Sequence, residues 1–221
     1  MSVLLELMPL AGAPAHLDWL GGDERARLAQ ITDPARAEQF VAGHCLARRL
    51  AAGLSGGQPG DWRLIVGDDG HRRLEHASLA PLCASLSHAR ASLAVAVGFH
   101  PLGVDLEEAG QQRDWLGVAR TMFSPGEVHS LASAPEAGRE SVFLASWTLK
   151  EAWAKRSGRG LQRQAARRCT AVTCGAAAAE AWTWRLPDGG SLALAAFPGA
   201  TVVARGIAGA VRPWRYLETA A

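Results

Sequence analysis

Asp105 and Glu107 stand two residues apart in the segment GVDLE. On a β-strand that spacing turns both carboxylates to one side and sends Leu106 to the other, into a core. Two like charges side by side repel unless a cation sits between them or one is protonated. Oxygen-only ligands suit Mg²⁺ or Mn²⁺; a solvated strand end is the plainer alternative. Further along, WTLKEAWAK holds Lys150, Glu151 and Lys155. Glu151 and Lys155 are spaced i, i+4 on one helix face, with Trp147 one turn before. Alone this is a surface ion pair. Taken together, the two segments offer three carboxylates and one or two ammonium groups. That is equipment for phosphate chemistry, in which a metal clamps phosphate oxygens and a Lys neutralises developing charge.

The two lysines stand out for another reason. Of 23 basic residues, 21 are Arg, and the only two Lys lie in this one segment. A compact ammonium and a planar guanidinium fork are not equivalent, so Lys at these positions points to a role Arg would not fill.

Other candidates carry weaker signals. Ser87-His88 lies between two apolar runs and can hold a phosphate or cap a strand. His71, Arg72 and Arg73 form a basic hairpin tip. Arg36, His44, Arg48 and Arg49 share one helix. The run GRGLQRQAARR is basic but has no interleaved aromatics, and the formal net charge is only +2. That excludes a strongly electrostatic nucleic-acid binder. No P-loop is present, which argues against a nucleotidyltransferase. The four cysteines show no zinc spacing and read as reduced thiols in the cytoplasm.

These residues need elements to position them. The 221 residues, 48% apolar and 20% charged, suffice for one large domain or two small ones. No apolar run reaches membrane-spanning length, and Glu6 interrupts an N-terminus without a basic region, so neither a membrane span nor a secretory signal is expected. Strands are expected over 2–7, 62–66, 82–86, 92–99 and 102–107. Later strands are expected over 168–173, 181–186, 191–197 and 201–204. Helices are expected over 23–30, 33–52, 115–122 and 138–156, with Asp33 as an N-cap before Pro34 and Gly53 as a stop. Ser124 and Glu127 have capping-box spacing for one more. Helices and strands mix without strict alternation, which favours an α+β fold.

In this order, the segments resemble the 4′-phosphopantetheinyl transferase superfamily of the Sfp-like, surfactin-synthetase-activating type. Its signatures G-[IV]-D-x-E and W-[ST]-x-K-E-[AS]-x-x-K are matched by Gly103–Glu107 and Trp147–Lys155. Ser87-His88, Phe123–Glu127, Gly158–Leu161 and the helix from Arg36 to Arg48 fit further family segments. The resemblance spans roughly residues 30 to 165. It implies a pseudo-dimer of two similar α+β subdomains, 1–104 and 105–221, with the active site in the cleft between them. It implies transfer of phosphopantetheine from coenzyme A to a serine of an apo carrier protein, releasing 3′,5′-ADP. The implied Mg²⁺ (or Mn²⁺) ligands are Asp105, Glu107 and Glu151. Glu151, Lys155 and Asp105 are the implied catalytic residues. Coenzyme A would meet Ser87, His88, Arg36, Arg48, His71, Arg72, Lys150 and Lys155. A cytoplasmic monomer with no nucleic-acid or membrane partner is expected. The alternative is a non-catalytic coenzyme A- or carrier-binding protein of the same fold. In two places the chain departs from the family pattern. Gly70-His71-Arg72 replaces the family's G-K-P, and His44 or Gln39 stands where many relatives carry Arg.

Overall fold

The computed structural model describes residues 1–10, 17–111 and 113–219. In chain order the elements are β1 (Ser2–Pro9), α1 (Gly22–Ala29), α2 (Pro34–Ser55), β2 (Arg63–Val66), β3 (Arg72–Glu75), β4 (Leu82–His88), β5 (Ser92–Gly98) and β6 (Gly103–Glu107). There follow α3 (Trp115–Met122), α4 (Pro125–Ser133), α5 (Glu136–Ser157), α6 (Arg163–Arg168), β7 (Cys169–Thr173), β8 (Ala181–Arg185), β9 (Ser191–Ala195), β10 (Thr201–Arg205) and β11 (Val211–Glu218).

The strands form two sheets, ordered β10-β1-β5-β4-β3-β2 and β6-β9-β8-β11-β7. Alternation along the strands explains the layering. In β1, Val3 and Leu5 join the core shared by the sheets, whereas Leu4 faces Leu46, Leu50 and the rest of α2. In the second sheet, Val104, Leu106, Leu192 and Leu194 face the shared core, whereas Ala193 and Ala195 meet Leu149 and Ala152 of α5. The result is four layers: α2, first sheet, second sheet, α5. Mixed helix and antiparallel sheet make this an α+β fold.

Local chemistry sets the element ends. The Asp33 side chain accepts from the Ala35 amide and Pro34 opens α2, as the sequence predicts. The expected stop at Gly53 is passed. Gly53 stays helical against Leu4, and α2 ends at Gly56, whose φ of 96° only glycine adopts freely. Ser124 and Glu127 form a reciprocal capping box on α4. Helix α5 starts two residues before the expected Gly138 and ends at Gly158 in the left-handed region.

Two elements were not foreseen. The basic run forms α6, and residues 211–218 form β11, which pairs with both β8 and β7. β10 pairs in parallel with β1, so the chain leaves the second sheet after β9, joins the first, and returns with β11. No described helix is long and apolar enough to cross a membrane.

Candidate active site

Strand β6 carries Asp105 and Glu107 at the edge of the second sheet, with Val104 and Leu106 turned into the core. Helix α5 lies hard against it. A Cβ on Gly103 would come within 2.0 Å of the Ala152 carbonyl oxygen, so only glycine lets the helix approach this closely. That approach delivers Lys155. Its Nζ donates to Asp105 Oδ1 at 2.7 Å and to the Val104 carbonyl at 3.0 Å. Ser87 of β4 donates its hydroxyl to the same Oδ1 at 3.1 Å. Trp147, two turns before Lys155, donates its indole N–H to Glu107 Oε1 at 3.1 Å.

The carboxylates feel one another. Burial, then the Asp105 charge, pushes Glu107 above the ordinary carboxylate range, against the pull of Arg113. Burial and the charges of Asp105 and Glu107 likewise push Glu151 up, with Lys155 opposing. Among the described residues, no three His, Cys, Asp or Glu side chains are arranged as a closed metal cluster. One observation nonetheless fits an oxygen-liganded cation. Asp105 is 6% exposed, and its Oδ2 is buried with no hydrogen-bond partner. A buried carboxylate oxygen left unpaired is costly, and a divalent cation would satisfy it.

One cavity opens beside Lys155, and a second shares Arg72 with it. The smaller, about 250 Å³, is lined by Lys155, Ser85, His71, Arg72, Gly158 and Gly160. The larger, about 570 Å³, is lined by Arg27, Arg36, Arg72, His88, Gln39 and Phe40, among others. Arg72 lines both. The charged side chains on these walls are mostly cationic. Partial desolvation and then the charges of Arg36 and Lys155 push His88 below the ordinary imidazole range. Burial and the nearby Arg27 lower Arg72. Crowded cations of this kind are poised for an anion.

Several anticipated residues lie elsewhere. Lys150 is 1% exposed, and all three of its donors are spent: on Glu127 Oε2 at 2.8 Å, Ala166 O at 2.7 Å and Cys169 O at 2.5 Å. It pins α5 to α4 and α6, and no N–H remains for a phosphate. Arg48 is also 1% exposed. Its guanidinium bonds Glu24 Oε2 at 2.6 Å and lies over the Trp19 ring, so it holds α2 to α1 and is not among the cavity walls. His71 lines the smaller cavity, but its Nε2 is 2.8 Å from the Arg156 carbonyl and its Nδ1 is 3.3 Å from Asp69. There it clasps the β2–β3 hairpin to the end of α5. The hydroxyl of Ser87 is engaged with Asp105 and the Leu106 amide. Arg27 was not anticipated: it sits on α1, and no sequence spacing ties it to Arg36 or Arg72.

Comparison with known proteins agrees with this geometry. Residues 101–186, from the approach to β6 to the end of β8, match the 4′-phosphopantetheinyl transferase superfamily. The chain is 30% identical over 146 residues to 4′-phosphopantetheinyl transferase HetI of Nostoc sp., covering 65% of this chain and 62% of that one. It is 36% identical over 77 residues to 4′-phosphopantetheinyl transferase psf-1 of Bacillus pumilus, covering 35% and 32%. It is 24% identical over 142 residues to a 4′-phosphopantetheinyl transferase of Bacillus subtilis, covering 64% and 62%. The matched stretches thus span a third to under two-thirds of these relatives. The similarity to the 4′-phosphopantetheinyl transferase superfamily thus runs through the segment that carries Asp105, Glu107, Glu151 and Lys155.

Proposed function

We propose that this protein transfers 4′-phosphopantetheine from coenzyme A to a serine hydroxyl of an apo carrier protein, releasing 3′,5′-ADP. The observation that carries this reading is the ion pair of Asp105 with Lys155, a lysine that also borders a cavity carrying Arg72 and His71. Lys155 bonds Asp105 and lines the smaller cavity, and Arg72 joins that cavity to the larger one. A long, polyanionic substrate suits such cavities, with its reacting phosphate beside the carboxylates.

The reaction poses three problems. The nucleophile is a neutral alcohol, the electrophile repels it, and the leaving group gains charge. Glu151 answers the first. Its raised proton affinity makes it a better acceptor for the serine proton than an ordinary surface carboxylate. Lys155 answers the third by placing a positive charge where the leaving phosphate oxygen develops negative charge. Arg72, Arg36, Arg27 and His88 bind and orient the donor's remaining phosphates. Asp105 and Glu107, with Glu151 as a third carboxylate, would hold Mg²⁺ or Mn²⁺. When bound, that ion supplies neutralising charge to the pyrophosphate oxygens.

The test is chemical. Coenzyme A, Mg²⁺ and a panel of apo carrier proteins are incubated with the chain, and 3′,5′-ADP is measured chromatographically. The proposal expects release with at least one carrier, and none with Glu151→Gln or with EDTA. Coenzyme A left intact beside every carrier type would contradict it.

A further inference from the structure

Strand β6 is an edge strand with β9 on one side only. Antiparallel pairing turns alternate amides to opposite edges, so the amides of Val104 and Leu106 point away from β9. An exposed edge would leave them to water, but this edge is buried. It lies across the face of β4, an interior strand of the other sheet, whose own amides pair with β3 and β5. Two hydroxyls take the place of the missing neighbour. Ser85 Oγ accepts from the Val104 amide at 3.0 Å, and Ser87 Oγ accepts from the Leu106 amide at 3.2 Å. Ser85 and Ser87 are i, i+2 on β4, in step with Val104 and Leu106 at i, i+2 on β6.

We infer that Ser85 is a positioning residue for the active site: its hydroxyl, with that of Ser87, sets the height and register of β6 and so aims Asp105. Both backbone polar groups of residue 104 at this free edge are taken. Its N–H is taken by Ser85 and its C=O by Lys155, and the next residue is Asp105. Ser85 is 4% exposed, and removing its hydroxyl takes away the acceptor of the Val104 amide. Ser87 bonds the Asp105 carboxylate itself, whereas Ser85, which also borders the smaller cavity, meets β6 through its backbone.

The kinetic part of this inference rests on the transfer reaction proposed above, so the experiment has two readouts. Ser85→Ala is compared with wild type by amide exchange in NMR and by steady-state transfer to a carrier. The Val104 amide is expected to exchange at least about tenfold faster, while the Asp105 amide, which faces β9, keeps its protection. In the same variant, kcat is expected to fall about tenfold or more with KM for coenzyme A nearly unchanged, since misplacement of a reacting group costs rate before binding. Ser85→Thr keeps an acceptor oxygen and suits a strand, and it is expected to restore both. Unchanged Val104 exchange in Ser85→Ala would overturn the inference, as would faster exchange with unchanged kcat. A wild-type chain that modifies no carrier would remove the transferase reading instead, and the exchange comparison alone would then decide whether Ser85 holds β6.

Discussion

Lys155 and Lys150 leave the same helix on different faces and meet different surroundings. Lys155 reaches Asp105 and an open cavity, whereas Lys150 is enclosed by Glu127 and two backbone carbonyls. Their variants therefore fail differently. Asp105→Ala and Glu151→Ala are each expected to abolish transfer, and Lys155→Ala to slow it about a hundredfold or more, in steady-state assays, with melting temperatures near wild type. Lys150→Met instead strands the Glu127 carboxylate in the interior. It is expected to cost about 3–5 kcal/mol in denaturant unfolding, and adding Glu127→Gln to it recovers part of the loss. The sequence showed that this segment was special, because the only two lysines fall in it. Residue type could not show which lysine is enclosed, since that depends on α4 and α6 folding over one side of α5.

At the level of elements, α1 is held on α2 by a buried cluster. Glu24 meets Arg48 at 2.6 Å, His44 Nδ1 at 2.6 Å and the Gly21 amide at 2.7 Å. Burial alone would raise Glu24, but the bonds from His44, Arg48 and Gly21 outweigh it and hold the carboxyl at about 2, against 4.5. A depressed carboxyl stabilises the fold above its unfolded value, and that contribution disappears as pH falls from 4.5 towards 2. Burial also lowers His44, despite Glu24, so a proton taken up by the unfolded imidazole works in the same direction from about pH 6.5 downward. Denaturant titrations across this range are expected to show stability falling on acidification, with about 3 kcal/mol traceable to Glu24. Glu24→Gln is expected to flatten the part below pH 4.5 and, by removing the charge that supports a protonated His44, to steepen the part above it; an unchanged acid limb would contradict this assignment. Caps made α2 and α4 legible, because Asp33 and Ser124 act on the next few residues. The role of Glu24 was not legible, since its partners lie a helix away.

For the molecule as a whole, the C-terminal stretch ties both sheets together. β10 closes the edge of the first sheet beside β1, and β11 sits between β8 and β7 in the second. A chain ending at residue 200 would expose β1 and split the second sheet. It is expected to lose cooperative thermal unfolding, and a sharp, wild-type-like transition for it would contradict this view of the architecture. This long-range pairing was the least legible feature. The strand-like character of 201–204 was visible locally, but nothing in its composition chooses a parallel partner at the other end of the chain. The carboxylate strand and its helix were legible because alternation and i, i+4 spacing are local rules. The mostly cationic cavity wall was legible only in part, because Arg27, Arg36 and Arg72 come from three elements that meet through packing.

Asp105 and Lys155 are proposed to serve the transfer of phosphopantetheine onto a carrier. The most direct measurement is the intact mass of an apo carrier after incubation with the chain, coenzyme A and Mg²⁺. The expected result is a gain of one phosphopantetheine on the carrier with the wild-type chain, and no gain with Asp105→Ala. An equal gain with Asp105→Ala would contradict it.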